Sequence, residues 1–234
     1  MQSPNAHPTT TPRLLALSGI VFAVLFLVGW FANGANTPDY GAADEDWTNW
    51  AHDNQWNSRM GAFSMMLAGF VFLHFASTIR SALGTPENAD RGSPYLARVA
   101  FAGGLTGMAG MTMATIMTAG ATTEGADSNP VVSRAVMTAS GGPFLLSAMG
   151  FAGLLLAAGL LTLRSGVFAR WTGFVALIGA ASFLITFAVV LQGTGEDSVF
   201  GFGFFPGVLA LVIWSIATSV HRYRAVAPSL ATSP

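Results

Sequence analysis

Six runs of mostly apolar residues divide the chain, at 14–31, 60–79, 99–119, 144–163, 171–191 and 204–220, and charge is confined almost entirely to the gaps between them. A hydrocarbon core about 30 Å thick takes roughly 20 helical residues at 1.5 Å rise, so each run has the length of a membrane-spanning helix. The pattern predicts an all-α polytopic membrane protein, with six transmembrane helices in one bundle over residues 13–224 and disordered cytoplasmic tails at 1–12 and 225–234. The first run exceeds an ordinary signal-peptide core and is followed by a poor cleavage site, which predicts a retained helix.

The gaps give the orientation. Placing alternate gaps on opposite sides puts Arg13, Arg80, Arg91, Arg98, Arg164, Arg170, Arg222 and Arg224 together against Glu87 and Asp90, a net of +6. The other side carries Asp39, Asp44, Glu45, Asp46, Asp53, Glu124, Asp127, Glu196 and Asp197 against Arg59 and Arg134, a net of −7. Arginine is retained inside during insertion, so both termini are expected to be cytoplasmic and the acidic loops outside a bacterial plasma membrane.

In the first outer gap, Asp44, Glu45 and Asp46 predict a helix start with Asp44 as N-cap. Trp47 and Trp50 share one face of that helix and Trp56 points roughly the other way, a pattern suited to a short helix at the headgroup level. Ser128-Asn129-Pro130 opens a second short segment, ending at Gly141-Gly142-Pro143. Continuous with the fourth run it would make a helix of about 50 Å, so a break or kink is expected at Pro143. Inside, Ser165-Gly166 supplies a helix stop in the tight 164–170 turn.

Composition narrows the chemistry further. Hydrophobic residues make up 52% and charged residues 9%, a membrane composition. The absence of cysteine excludes disulfides, thiolate metal sites and cysteine nucleophiles, and the absence of lysine excludes a Schiff base or a P-loop lysine. No glycine-rich nucleotide fingerprint or basic tract points to nucleotide or nucleic acid. No cofactor and no catalytic group is expected.

Gly103, Gly107, Gly110 and Ala114 recur at spacings of four, three and four, predicting a smooth stripe on which another helix approaches closely. Gly61-Ala62-Phe63, Gly142-Pro143-Phe144 and Gly203-Phe204-Phe205 each precede an arginine by about 20 residues and suggest three related helical hairpins opened by these tripeptides. Methionines 65, 66, 108, 111, 113 and 117 cluster in the second and third runs. They read as gap-filling beside glycine faces, with soft-metal binding as the sharper alternative. Thr112, Thr115 and Thr118 are expected to hydrogen-bond along or between helices.

Four residues stand out as candidate ligand contacts: Arg59, Arg134, His74 and Asp53. His74 is the one ionisable residue within a run, and two readings are open: a structural hydrogen bond, with Thr106 at comparable depth, or a polar contact to a quinone-like ligand. Arg59 and Arg134 stand on the outer side against the positive-inside bias, either as loop salt bridges or as a shared site for an anionic headgroup or carboxylate, which His52-Asp53 could join.

The segment 164–179, RSGVFARWTGFVALIG, resembles the turn before the fifth helix in a broad set of uncharacterised six-helix bacterial membrane proteins, grouped as domains of unknown function. The acidic first outer gap followed by Asn57-Ser58-Arg59, and a second helix ending in Ile79-Arg80, are similar to the same set. The resemblance implies a six-helix plasma-membrane fold and carries no activity.

Two functional readings follow. The first is a non-enzymatic membrane protein that packs with lipid, with itself or with a membrane partner through acidic, tryptophan-bearing outer loops. The second is a small-molecule or lipid site, in a transporter or membrane enzyme, at the outer face near Arg59 and Arg134.

Overall fold

The computed structural model describes residues 15–33, 37–39, 41–91, 94–123, 129–186 and 200–226. They form seven helices: α1 (Ser18–Asn33), α2 (Asp44–Asp53), α3 (Gln55–Arg91), α4 (Tyr95–Ala121), α5 (Pro130–Ser165), α6 (Arg170–Thr186) and α7 (Phe200–Val226). The tail at 1–12, residues 227–234 of the tail expected at 225–234, the acids Glu124, Asp127, Glu196 and Asp197, and the end of the fifth run at 187–191 lie outside the described residues; Ala225 and Val226 belong to α7 instead of the tail.

Four stretches are long and apolar enough to cross a membrane: Gln55–Pro86, Tyr95–Ala121, Pro130–Ser165 and Gly203–Ala225. α1 and α6 are equally apolar in character but shorter, at 16 and 17 residues. The interior is built from phenylalanine and small residues; Phe22, Phe26, Phe72, Phe75, Phe151 and Phe183 are almost wholly enclosed. The exterior carries Val24, Phe70, Leu73, Phe174, Ile178 and Ile185, each about half exposed or more. A soluble monomer rarely shows so extensive an apolar surface, whereas lipid is its natural solvent.

Consecutive long helices are antiparallel, and the glycines record it. A Cβ on Gly61 of α3 would stand 2.7 Å from the Asn33 Cβ at the end of α1, while Gly19 at the start of α1 abuts Phe75, Ser215 and Ser219. Gly84 of α3 faces Pro94 and Ala97, Gly159 of α5 faces Gly173 and Leu177, and Gly203 of α7 faces Ser182 and Thr186. α7 returns to α1, with Trp30 stacked on Phe204 at 5.2 Å. One end of the bundle therefore gathers Arg80, Arg98, Arg164, Arg170, Arg222 and Arg224. The other gathers Asp39, Asp44, Glu45, Asp46 and Asp53. At the arginine end Arg222 donates to the Thr78 carbonyl, and Phe168 meets His221 edge to face at 5.7 Å. The expected stop is in place, with Gly166 at φ 66 as the C-cap of α5.

The closest seam joins α4 to α5. A Cβ on Gly103 would lie 2.7 Å from the Gly150 carbonyl oxygen, one on Gly110 2.6 Å from that of Pro143, and one on Gly150 against the Gly107 backbone. The predicted glycine stripe is thus a helix–helix contact, backbone to backbone.

Several local expectations are corrected. α5 runs unbroken for 36 residues with Pro143 inside it, about 54 Å at 1.5 Å per residue. An internal proline costs about 3 kcal/mol. Packing on both sides offsets it: the glycine seam on one, and Ser133 donating to the Ala121 carbonyl at 2.9 Å on the other. α3 likewise starts at Gln55, ahead of the apolar run, so Gly61 and Gly142 lie inside helices instead of opening them. The three tripeptides are also unequal, since Gly142 faces open space whereas Gly61 and Gly203 abut the preceding helix.

Candidate functional site

The acidic end is closed over by α2. Its N-cap is Ala43, not Asp44: the Ala43 N–H donates to Asp46 Oδ2 at 3.2 Å, and Asp44 is drawn away to Arg134. Trp47 is fully buried and Trp50 nearly so, packed with Ala51 on Ala121, Val136 and Met137. The two indoles meet edge to face at 5.9 Å. These tryptophans are therefore structural pegs instead of headgroup anchors, because α4 and α5 extend past their apolar runs and offer a shelf. Trp56 belongs to α3 and is 70% exposed.

Arg134, on α5, is the strap across this shelf. Its Nη2 donates to the Ala42 carbonyl at 3.0 Å and to Asp44 Oδ1 at 2.9 Å, and its guanidinium lies 5.7 Å from the centre of the Trp47 ring. Arg134 thus pairs with an acid from the first outer gap. Arg59 is exposed on α3 and makes no ion pair among the described residues. Asp53 is exposed at the end of α2 and borders a polar crevice with Asp39, Asp46 and Asn49. Neither arginine lines that crevice or the cavity described below.

His74 sits on the outside of α3, edge to face with Phe70 at 5.4 Å. No hydrogen bond joins it to Thr106 among the described residues. The methionines divide rather than converge: Met65, Met108 and Met111 are buried in the core, whereas Met66, Met113 and Met117 border an open groove between α3 and α4 that Met108 also reaches. Among the described residues no three His, Asp or Glu side chains come together as metal ligands would.

One constellation was not singled out from the sequence. At the acidic end, between α1, α4 and α5, lies a cavity of about 350 Å³, lined by Trp30, Phe31, Asn33, Thr37, Thr115, Thr118, Met137 and Phe144. Trp30 meets Phe144 edge to face at 5.9 Å. Asn33 is only 5% exposed, and its Oδ1 has no hydrogen-bond partner among the described residues. An acceptor left so costs about 1–3 kcal/mol. Thr115 Oγ1 donates to the Thr112 carbonyl at 2.9 Å and Thr118 Oγ1 to that of Ala114 at 3.1 Å, so both threonines bond along their own helix. The available signal was an amide at the last position of an apolar helix, opposite threonines one turn apart.

Comparison with protein-family models, with curated proteins and with solved structures finds no match to this chain.

Proposed function

We propose that this chain is a six-pass bacterial plasma-membrane protein of the uncharacterised six-helix kind it resembles, acting as a non-enzymatic interaction protein through its acidic outer cap. α1 and α6 cross with the four longer helices. The arginine end faces the cytoplasm and the acidic end faces out, as positive-inside retention requires.

The observation that carries the interaction reading is the build of α2. Trp47 and Trp50 are sunk into α4 and α5 and Arg134 straps the start of the helix, while Asp44, Glu45, Asp46, Asn49 and Asp53 remain exposed. A helix fixed in this way presents its carboxylates without paying their ordering entropy on binding. The complementary partner is a cationic segment of another membrane or surface protein.

A photo-crosslinking residue at Asn49 tests this in intact cells. The reading expects a discrete adduct that disappears when Asp44, Glu45 and Asp46 are changed to their amides. No adduct, or the same adduct from the lipid-facing Ile178, contradicts it. A shared anion site at Arg59 and Arg134 is the weaker reading, because Arg134 is committed to Asp44 and Ala42.

A further inference from the structure

We propose that the cavity between α1, α4 and α5 binds a neutral, lipid-soluble ring compound that donates a hydrogen bond, of the chemical class of a phenol. Its volume, about 350 Å³, falls in the range of small-molecule sites, roughly 300–1,000 Å³. Among the described residues no charged side chain lines it, so an ion entering would find no compensation there for its lost hydration.

The polar groups set the polarity of the ligand. Asn33 Oδ1 is a buried acceptor with no partner among the described residues. The hydroxyl protons of Thr115 and Thr118 are committed to the carbonyls of Thr112 and Ala114. These two oxygens therefore offer lone pairs and no proton. A hydroxyl on the ligand fills this need, and an ether in its place does not. The walls select the rest: Trp30, Phe31 and Phe144 provide ring faces and edges, which favour a ring over a saturated chain.

The site is formed before the ligand arrives. Trp30 is stacked on Phe204 at 18° between planes and set against Phe144 at 85°. The α3 backbone at Gly61 lies so close that an added Cβ would be 2.7 Å from the Asn33 Cβ and 2.9 Å from its backbone nitrogen, which fixes where the Asn33 side chain leaves α1. Phe31, 64% exposed on the bundle exterior, forms the rim and opens the cavity to the apolar surroundings.

The test uses the full chain in phosphatidylcholine nanodiscs, titrated calorimetrically with 4-tert-butylphenol and its methyl ether, and with empty nanodiscs to subtract partitioning. The expected result is saturable binding of the phenol, with the ether about tenfold weaker, the effect of one hydrogen bond to a buried acceptor. Asn33→Leu should bring the phenol down to the affinity of the ether and leave the ether unchanged. Equal binding of both compounds to the native protein, signals no larger than those of empty nanodiscs, or undiminished phenol binding by Asn33→Leu would each overturn the proposal. Should Asn33→Leu fail to fold, Thr118→Val decides. It is nearly isosteric and leaves only a helical carbonyl to its existing bond; phenol binding about threefold weaker with the ether unchanged supports the site, and unchanged phenol binding overturns it.

Discussion

Along the same two helices, α4 and α5, packing changes character within three turns. At Gly103, Gly110 and Gly150 the backbones touch, and at Gly107 the Phe151 ring lies directly on the glycine. Farther along α4, Thr115 and Thr118 face a cavity shared with Met137, Phe144 and the end of α1. The difference lies in residue size and polarity. Glycine lets helices close where no hydrophobic force between them is available, so contact must come from dispersion and close approach. Where rings and hydroxyls replace glycine, the helices cannot close to the same degree, and Asn33 Oδ1 is left without a partner among the described residues. The seam is a hinge-free wall; the space beyond it is where chemistry can enter.

The strongest way to break this contrast is to add one methyl group on each side of it. Gly150→Ala should cost about 3 kcal/mol or prevent folding, the upper end of overpacking, because backbone blocks the methyl group on the Gly107 side. Gly142→Ala, on the same helix but facing open space, should be neutral or gain up to about 1 kcal/mol from helix propensity. Thermal melts in nanodiscs separate the two, and equal effects would refute the seam.

Next in size is the cap. Trp47→Ala empties the peg hole and should cost about 3–5 kcal/mol locally, read as loss of hydrogen-exchange protection across 44–53 with the bundle protected as before. Arg134→Gln removes a half-exposed strap, whose carboxylate partner is 67% exposed. It should cost about 1 kcal/mol or less, and less again at high salt. Smallest of all is His74→Phe. An exposed ring on the apolar exterior should change the melt by no more than about 0.5 kcal/mol.

How much of this was legible follows from where the forces are local. Hydrophobic runs and the Gly166 stop are written in short windows, so the helical regions and the tight 164–170 turn were readable. The four-three-four glycine spacing likewise announced a seam on α4. The helix ends were not readable, because Pro143 and the segment before Gly61 are held helical by contacts with α4 and α1 that no short window contains. The roles of Trp47 and Trp50 reversed for the same reason: the shelf that buries them is made by residues some 70 to 90 positions away, at Ala121, Val136 and Met137. Of the candidate residues, Arg134 acquired a definite role as strap, Asp53 a place at a polar crevice, and Arg59 and His74 exposed positions. The cavity escaped notice because Asn33, Thr115 and Phe144 are each ordinary alone and meaningful only together.

The account rests on alternating helices with the acidic cap outside, and the chain's lack of cysteine makes that directly testable. Single cysteines at Asn49 on α2 and at Ala169 in the α5–α6 turn, treated with a membrane-impermeant maleimide in intact cells, give the readout. The account predicts labelling of Asn49→Cys in intact cells and of Ala169→Cys only after permeabilisation. Labelling of Ala169→Cys in intact cells would contradict it.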